Sequence, residues 1–209
     1  MALAAAAAMF LAVPAHADLV TNGGFEGGNT GFVSGYTYES DGNTNNGACY
    51  PAGTYAIVTN ANHCHSLWES VTPHSGQWEM VVNGGGDSSI AVWSETVSLV
   101  AGQKYDFSAW AASIYATNPA DLEFKIGNTV LGTLQLDSST NWVNFQDIFT
   151  ASGTGNLTLA IYDLNGDPDG NDFALDDISL IPEPASLGLL GAGLLAMGAW
   201  RARRKVKSA

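Results

Sequence analysis

Apolar residues recur at every second position through most of residues 79–180, and this alternation constrains the fold more than any other feature of the chain. Leu122, Phe124 and Ile126, for example, alternate with Glu123 and Lys125. The alternating segments are 80–82, 90–99, 104–110, 122–126, 130–136, 143–149, 157–161 and 173–180. Their spacing near ten residues, with Gly, Asn and Asp between them, predicts an all-β sandwich of about nine strands in a single domain.

The last twenty-eight residues differ from the rest in composition. Pro182-Glu183-Pro184 is followed by an uncharged apolar run at 185–200 and a basic tail at 201–207. As a helix the run spans about 24 Å at ~1.5 Å per residue, short of the ~20 residues usually needed to cross a bilayer. Basic residues beside an apolar span stay in the cytoplasm. The segment therefore predicts a marginal transmembrane helix with a cytoplasmic carboxyl terminus, in preference to a helix buried in the core.

This order of elements resembles the PEP-CTERM signal of bacterial envelope proteins. The family pairs that signal with a membrane protease called exosortase. The resemblance implies that residues 182–209 form a sorting segment, marked by Pro182, Glu183 and Pro184, and that export is followed by removal of the tail. The expected destination is the cell surface or extracellular matrix, after a transient stay in the inner membrane.

The amino terminus also predicts export. Residues 2–13 form an apolar run of helix formers, and Ala15-His16-Ala17 offers the small-x-small pattern of a signal-peptidase site, although the usual positive charge is missing. A signal peptide at 1–17 leaves an ectodomain at 18–181. The ectodomain contains 19 of the 20 acidic residues but only Lys104 and Lys125 of the seven basic ones, a formal charge of −17. Such a surface repels nucleic acid and attracts divalent cations, although acid enrichment for solubility explains the charge equally well.

Cys49 and Cys64 are the only cysteines. An even number in an exported chain favours a disulfide, which would close a Gly/Asn-rich loop. The alternative is a zinc site that uses Cys64 with His63, His65 and His74, although this spacing matches no structural zinc pattern.

Two segments carry a second resemblance. Leu19-Val20-Thr21-Asn22-Gly23-Gly24-Phe25-Glu26 and the stretch from Gly170 to Leu180 look like the first and last strands of galactose-binding-like jelly rolls, the fold of many carbohydrate-binding modules. Segment 91–110 also looks familial. In that family the two strands lie side by side and hold a structural Ca²⁺. The resemblance places the calcium ligands at Glu26 and Asp176, with Asp177 as a further candidate.

The acidic stretch 163–177 allows two other interpretations. Residues 165–176 approach an EF-hand loop, but Asn stands at its first position, Asp at its twelfth, and the flanks are strand-like. An ordinary acidic turn is the remaining interpretation.

Aromatic residues near loops are the candidates for stacking on a sugar, and we select Trp68, Tyr115 and Trp142. Most other tryptophans lie in alternating strands, where burial is the rule. No Gly-x-Ser-x-Gly or His-Glu-x-x-His motif is present, and carboxylates such as Glu69 and Glu79 cannot be paired from sequence alone.

The sequence therefore predicts a non-catalytic envelope or biofilm-matrix protein that binds extracellular polysaccharide through a calcium-stabilised jelly roll. The alternatives are a glycan hydrolase or lyase, and a purely structural matrix or adhesion protein.

Overall fold

The computed structural model describes residues 17–184, and residues 18–182 form one compact unit. The strands are β1 Thr37–Tyr38, β2 Thr54–Val58, β3 Glu79–Asn83, β4 Ala91–Leu99, β5 Lys104–Ser113, β6 Asp121–Ile126, β7 Thr129–Gln135, β8 Val143–Thr150, β9 Gly155–Asp163 and β10 Phe173–Pro182. A 3₁₀ helix at Ala61–His63 is the one helix in the described part of the chain. The predicted all-β sandwich is confirmed, with ten strands in place of about nine.

The strands form two sheets, and all neighbouring pairs are antiparallel except β1 and β2. The order is β1-β2-β3-β10-β5-β8 in the six-stranded sheet and β4-β9-β6-β7 in the four-stranded sheet. The period-two pattern places one apolar face of each sheet in the core between them. Phe107, Phe124 and Phe145 meet there, and the rings of Phe124 and Phe145 stack with centroids 4.0 Å apart. Each fully buried side chain of this size contributes about 1.5–3 kcal/mol.

A second core lies on the outer face of the six-stranded sheet. Val58, Val81 and Ala174 project there and are covered by Trp68 and Val71, which belong to the connection between β2 and β3. Strands β2 and β3 are therefore buried on both faces, and β5 loses its alternation after Ala111 for the same reason. This outer core positions the loops at one end of the sandwich.

The segment at 19–26 differs from its prediction, because it forms no strand. It nevertheless follows β10: the backbone N–H of Leu19 donates to the carbonyl of Leu180, and that of Ile178 donates to Gly23. A side chain at Gly23 would collide with the carbonyl of Ile178, so this approach requires glycine. A break in the register of β10 between Asp176 and Ser179 accompanies the contact.

Within residues 17–184 no helix is long and apolar enough to cross a membrane. The predicted span at 185–200 lies outside the described residues, as does the predicted signal peptide up to residue 16.

Candidate functional site

A cleft of about 430 Å³ opens at one end of the sandwich, where β3 and β5 end and β2 and β10 begin. We call it the end cleft and define it by six of its lining residues: Tyr50, His65, Leu67, Tyr115, Asp169 and Asp172. The side chains of Tyr50 and Leu67 are 54% and 66% exposed, which is unusual for large apolar groups. The end cleft thus combines accessible ring surface with carboxylate oxygens.

The disulfide between Cys49 and Cys64 positions two rings of the end cleft. Each cysteine is followed directly by one of those rings, Tyr50 or His65, and the ring centroids lie 4.4 Å apart. The backbone N–H of Cys49 donates to the carbonyl of Cys64, and Tyr50 Oη lies 2.7 Å from Ser66 Oγ. Burial lowers the pKa of His65, which keeps its imidazole neutral near pH 7.

Trp68 does not offer its ring to a ligand, which corrects its assignment as a stacking residue. It is only 4% exposed, and its indole N–H donates to Oδ2 of Asp172 at 2.7 Å. His65 stacks on the Trp68 ring with centroids 5.0 Å apart. Trp68 therefore packs beneath the end cleft as a structural residue. A buried indole N–H needs a hydrogen-bond partner, and Asp172 supplies it.

The two other predicted stacking residues lie in different places. Tyr115 is half-buried and lines the end cleft. Trp142 does not line it: its indole N–H donates to the carbonyl of Thr72, and its ring meets His74, which stacks on Trp110 at 3.8 Å.

The residues predicted to bind calcium gather around one short segment. Glu26 Oε1 accepts the backbone N–H groups of Gln77 and Trp78, at 2.6 and 3.0 Å. Asp176 Oδ2 accepts the N–H of Ser75 at 3.0 Å. Asp177 accepts the Ser75 hydroxyl at 2.7 Å, and its other oxygen lies 2.6 Å from His74 Nδ1.

Glu79 completes this group, which we call the junction cluster: Glu26, Glu79, Asp176 and Asp177. Glu79 is fully buried, and neither carboxylate oxygen has a hydrogen-bond partner among the described residues. Burial raises its pKa to about 9, with a further rise from the charge of Asp176. Burial also raises the pKa of Asp176 to about 7, against the opposing effect of the Ser75 N–H. Nothing in the sequence around Glu79 indicates that it belongs to this cluster.

The junction cluster fits a hard cation in its chemistry. In the positions described, no three His, Cys, Asp or Glu side chains between residues 17 and 184 converge as a metal site. Glu26, Asp176 and Asp177 are instead satisfied largely by N–H and O–H donors of segment 74–78. The orphaned carboxylate of Glu79 is the observation that fits a cation, because Ca²⁺ takes carboxylate oxygens and a buried unpaired carboxylate is costly.

The alternative metal sites are not formed by the described residues. The disulfide uses both cysteine sulfurs, while His63 contacts Asn43 and His74 contacts Asp177. The EF-hand interpretation is wrong, because β9 and β10 flank the loop and Asp176 lies inside β10. Asn165 and Asp167 accept N–H groups of their own loop.

Carboxylate pairs for glycan hydrolysis gain no support from the geometry. Glu79 is inaccessible to a polysaccharide, so it cannot act with exposed Glu69 on a glycosidic bond. Ser75 donates to Asp177 and lies beside His74 without a triad arrangement.

The carboxyl-terminal segment matches a known protein-sorting motif. The family model described as the PEP-CTERM protein-sorting motif matches residues 180–205, which include Pro182-Glu183-Pro184. The chain carries a PEP-CTERM sorting motif. This motif indicates export and sorting to the cell surface, as the sequence predicted. None of the curated proteins matches the chain.

Among solved structures, similar folds occur in carbohydrate-binding modules. The CBM22-1 xylan-binding domain of Xyn10C from Paenibacillus barcinonensis has 14% identity and a TM-score of 0.51, with 82% of this chain and 97% of that domain covered. TmCBM61, solved with β-1,4-galactotriose, has 16% identity and a TM-score of 0.52 over 80% of this chain and 99% of that one. The predicted resemblance to a carbohydrate-binding jelly roll is confirmed at the level of fold.

The same fold also occurs in an enzyme. The Stig cyclase Fisc from Fischerella sp. TAU has 13% identity and a TM-score of 0.53, with 81% of this chain and 98% of the cyclase covered. At these identities the similarity shows the fold alone, so function depends on the side chains of the clefts.

Proposed function

We propose that the exported domain binds polysaccharide in the end cleft and performs no chemistry on it. The observation that carries the proposal is the presence of accessible Tyr50 and Leu67 beside Tyr115 and His65 in one cleft. Aromatic faces bind the apolar face of a sugar ring, and nearby carboxylates and amides accept and donate hydrogen bonds to its hydroxyl groups. The fold is one that carbohydrate-binding modules use.

The ligand we propose is uncharged. Neither of the two basic residues between positions 17 and 184 lines the end cleft, whereas Asp169 and Asp172 do. The formal charge of −17 on residues 18–181 repels uronic-acid and sulfated polymers. A neutral polysaccharide is not repelled by this negative charge.

Calorimetric titration of residues 18–182 with neutral oligosaccharides tests the proposal, beginning with xylo- and β-1,4-galacto-oligosaccharides and extending to a glycan array. For a ligand that binds, Tyr50→Ala and Tyr115→Ala should each weaken affinity about tenfold or more, or about 1.4 kcal/mol. Tyr162→Ala is the matched control, because Tyr162 lies on the other sheet beneath Lys125. Equal losses in all three variants would contradict binding at the end cleft.

The absence of chemistry is tested with the same oligosaccharides. Prolonged incubation should release no new reducing ends and form no unsaturated products. Turnover by the wild-type protein that Tyr115→Ala abolishes would support the glycan hydrolase or lyase alternative.

We also propose that the junction cluster holds a structural Ca²⁺ through Glu26 and Asp176, with Asp177 as a further ligand. A cation that binds only the folded state stabilises it by about 2.7 kcal/mol at a hundredfold excess over Kd. EDTA should lower the Tm by several degrees, and Glu26→Gln and Asp176→Asn should each abolish most of this calcium-dependent shift. Asp137→Asn should preserve it, because Asp137 accepts hydrogen bonds from Ser139 in a separate turn. Equal shifts in all variants would indicate charge screening instead of a site.

For the carboxyl-terminal segment, the proposal is a transient membrane anchor with a cytoplasmic basic tail. An exosortase-type protease is the proposed partner, and the cell surface or biofilm matrix is the proposed destination. The matching sorting motif supports this route.

A further inference from the structure

Glu79 begins β3, and its carboxyl group lies in the protein interior without a partner. The register that pairs Leu175 with Met80 brings Asp176 beside Glu79, and Val58 of β2 lies opposite on the other side. The side chain is 0% exposed, and both carboxylate oxygens lack a hydrogen bond within the described part of the chain. Buried polar groups in folded proteins are almost always paired, so this carboxyl group requires an explanation.

No basic side chain of the described residues supplies the missing charge. Lys125 lies over Tyr162 with Glu123 nearby, and Lys104 is exposed at the start of β5, paired with Thr150. The only histidine in contact with the junction cluster, among residues 17–184, is His74, which is next to Asp177. Among residues 17–184, therefore, no lysine or histidine is paired with Glu79.

Segment 75–79 contains one carboxyl group of the junction cluster and donates hydrogen bonds to two others. Its backbone N–H groups hold Asp176 through Ser75 and Glu26 through Gln77 and Trp78, and the next residue is Glu79 itself. Glu26 belongs to the amino-terminal segment, Glu79 to β3 and Asp176 to β10. A cation among these groups would connect three parts of the chain that are distant in sequence.

We propose that Glu79 is a direct ligand of the Ca²⁺ that we place at Glu26 and Asp176. This inference rests on the proposed calcium site. Bound calcium pairs with the ionised carboxyl group of Glu79 and offsets the cost of burying that group without a partner. The same ion then fixes the start of β3 as well as the amino-terminal segment against β10. Without calcium, the uncompensated carboxyl groups destabilise this junction.

The proposal predicts that Glu79→Gln weakens calcium binding and stabilises the calcium-free protein. Calorimetric titration of residues 18–182 with CaCl₂ should show affinity reduced about tenfold or more, which corresponds to about 1.4 kcal/mol. In EDTA the variant should melt at a higher temperature than the wild type, because a neutral amide costs less to bury than an ionisable carboxyl group. In CaCl₂ its calcium-induced Tm shift should be smaller. If Glu79 had only a packing role, the variant would melt at a lower temperature than the wild type by the same amount in EDTA and in CaCl₂.

Glu123→Gln is the matched control, since Glu123 is a half-buried glutamate on the other sheet. It should leave calcium affinity unchanged. If Glu79→Gln does not fold, Glu79→Asp retains the charge with a shorter reach and should bind calcium more weakly than the wild type.

The outcomes distinguish the role of Glu79 from the proposed calcium site and from the proposed glycan binding. Wild-type calcium affinity in Glu79→Gln or in Glu79→Asp, together with loss of binding in Glu26→Gln, would overturn the role of Glu79 and retain the calcium site. A wild-type protein that binds no Ca²⁺ would overturn both calcium proposals. Glycan titration of the end cleft is independent of either result.

Discussion

Replacing Trp68 by Phe tests whether this tryptophan supports the end cleft or binds ligand itself. The change removes the indole N–H that donates to Asp172 at 2.7 Å, where the two side chains are 4% and 6% exposed. A hydrogen bond to a buried charged group contributes about 1.5–3 kcal/mol, and the smaller ring adds a packing loss on the order of 1 kcal/mol. We therefore expect a loss of about 2.5–4 kcal/mol in unfolding free energy at pH 8.

The loss of unfolding free energy in Trp68→Phe should be larger at high pH than at low pH, because Asp172 must be ionised for the full effect. Burial raises the pKa of Asp172 to about 6, and the N–H groups of Trp68 and Gly84 oppose that rise. Without the indole donor the folded pKa rises further, by about 1–2 units for a bond of this strength. At a pH above the pKa of Asp172 in both the wild type and the variant, this carboxylate is charged, and the full loss of unfolding free energy is expected. Below about pH 5 the folded carboxyl group is protonated in both proteins, so only the packing loss remains.

Urea unfolding followed by circular dichroism at pH 5 and pH 8 measures this difference. Tyr105→Phe is the control: its buried hydroxyl accepts the backbone N–H of Val100, so its smaller loss should be the same at both pH values. A pH-independent loss in Trp68→Phe would refute the role given to Asp172. Unchanged stability combined with lost glycan affinity would restore Trp68 as a stacking residue.

Three further changes have expected outcomes. Cys64→Ser should cost about 2–5 kcal/mol in unfolding free energy and weaken glycan affinity, because the disulfide sets Tyr50 against His65; intact affinity in a folded variant would contradict this positioning role. Gly23→Ala should destabilise by about 1–3 kcal/mol through collision with the Ile178 carbonyl, whereas Gly153→Ala, with open space around it, should be nearly neutral in thermal unfolding. Intact mass of protein extracted from the cell envelope should show that Arg201–Ala209 is absent, and a main species that keeps the tail would oppose processing.

Local pattern was sufficient to predict strands β3 to β10 but not β1, β2 or the order of the sheets, because side chains alternate across a strand and only one face of most strands meets the central core. Strands such as β6 and β8 show this directly. The sorting segment was equally readable, since its apolar and basic runs are contiguous in sequence and match a known motif. The family resemblance named Glu26 and Asp176, which the structure brings to the same short segment.

Tertiary structure alone decided which aromatic residues are accessible. Trp68 lies in loop-like sequence and looked available, but the second core covers it, and that core forms only when the β2–β3 connection folds across the outer sheet face. Tyr50, His65 and Leu67 were missed as ligand-binding candidates. The one signal in the sequence was that Tyr50 and His65 each follow a cysteine. This signal indicates that the two rings are neighbours only if the cysteines form a disulfide.

The role proposed for Glu79 likewise depends on the tertiary structure and not on the sequence alone. In sequence it begins an alternating segment and looks like one of many surface carboxylates of an acidic domain. Antiparallel pairing with β10 places it beside Asp176, and the overlying loop excludes water from both. The sequence by itself determined most of the strands, the net charge and the sorting motif of this protein, because those properties depend on neighbouring residues. The end cleft and the junction cluster depend on segments up to about 150 residues apart, and only their packing brings those segments into contact.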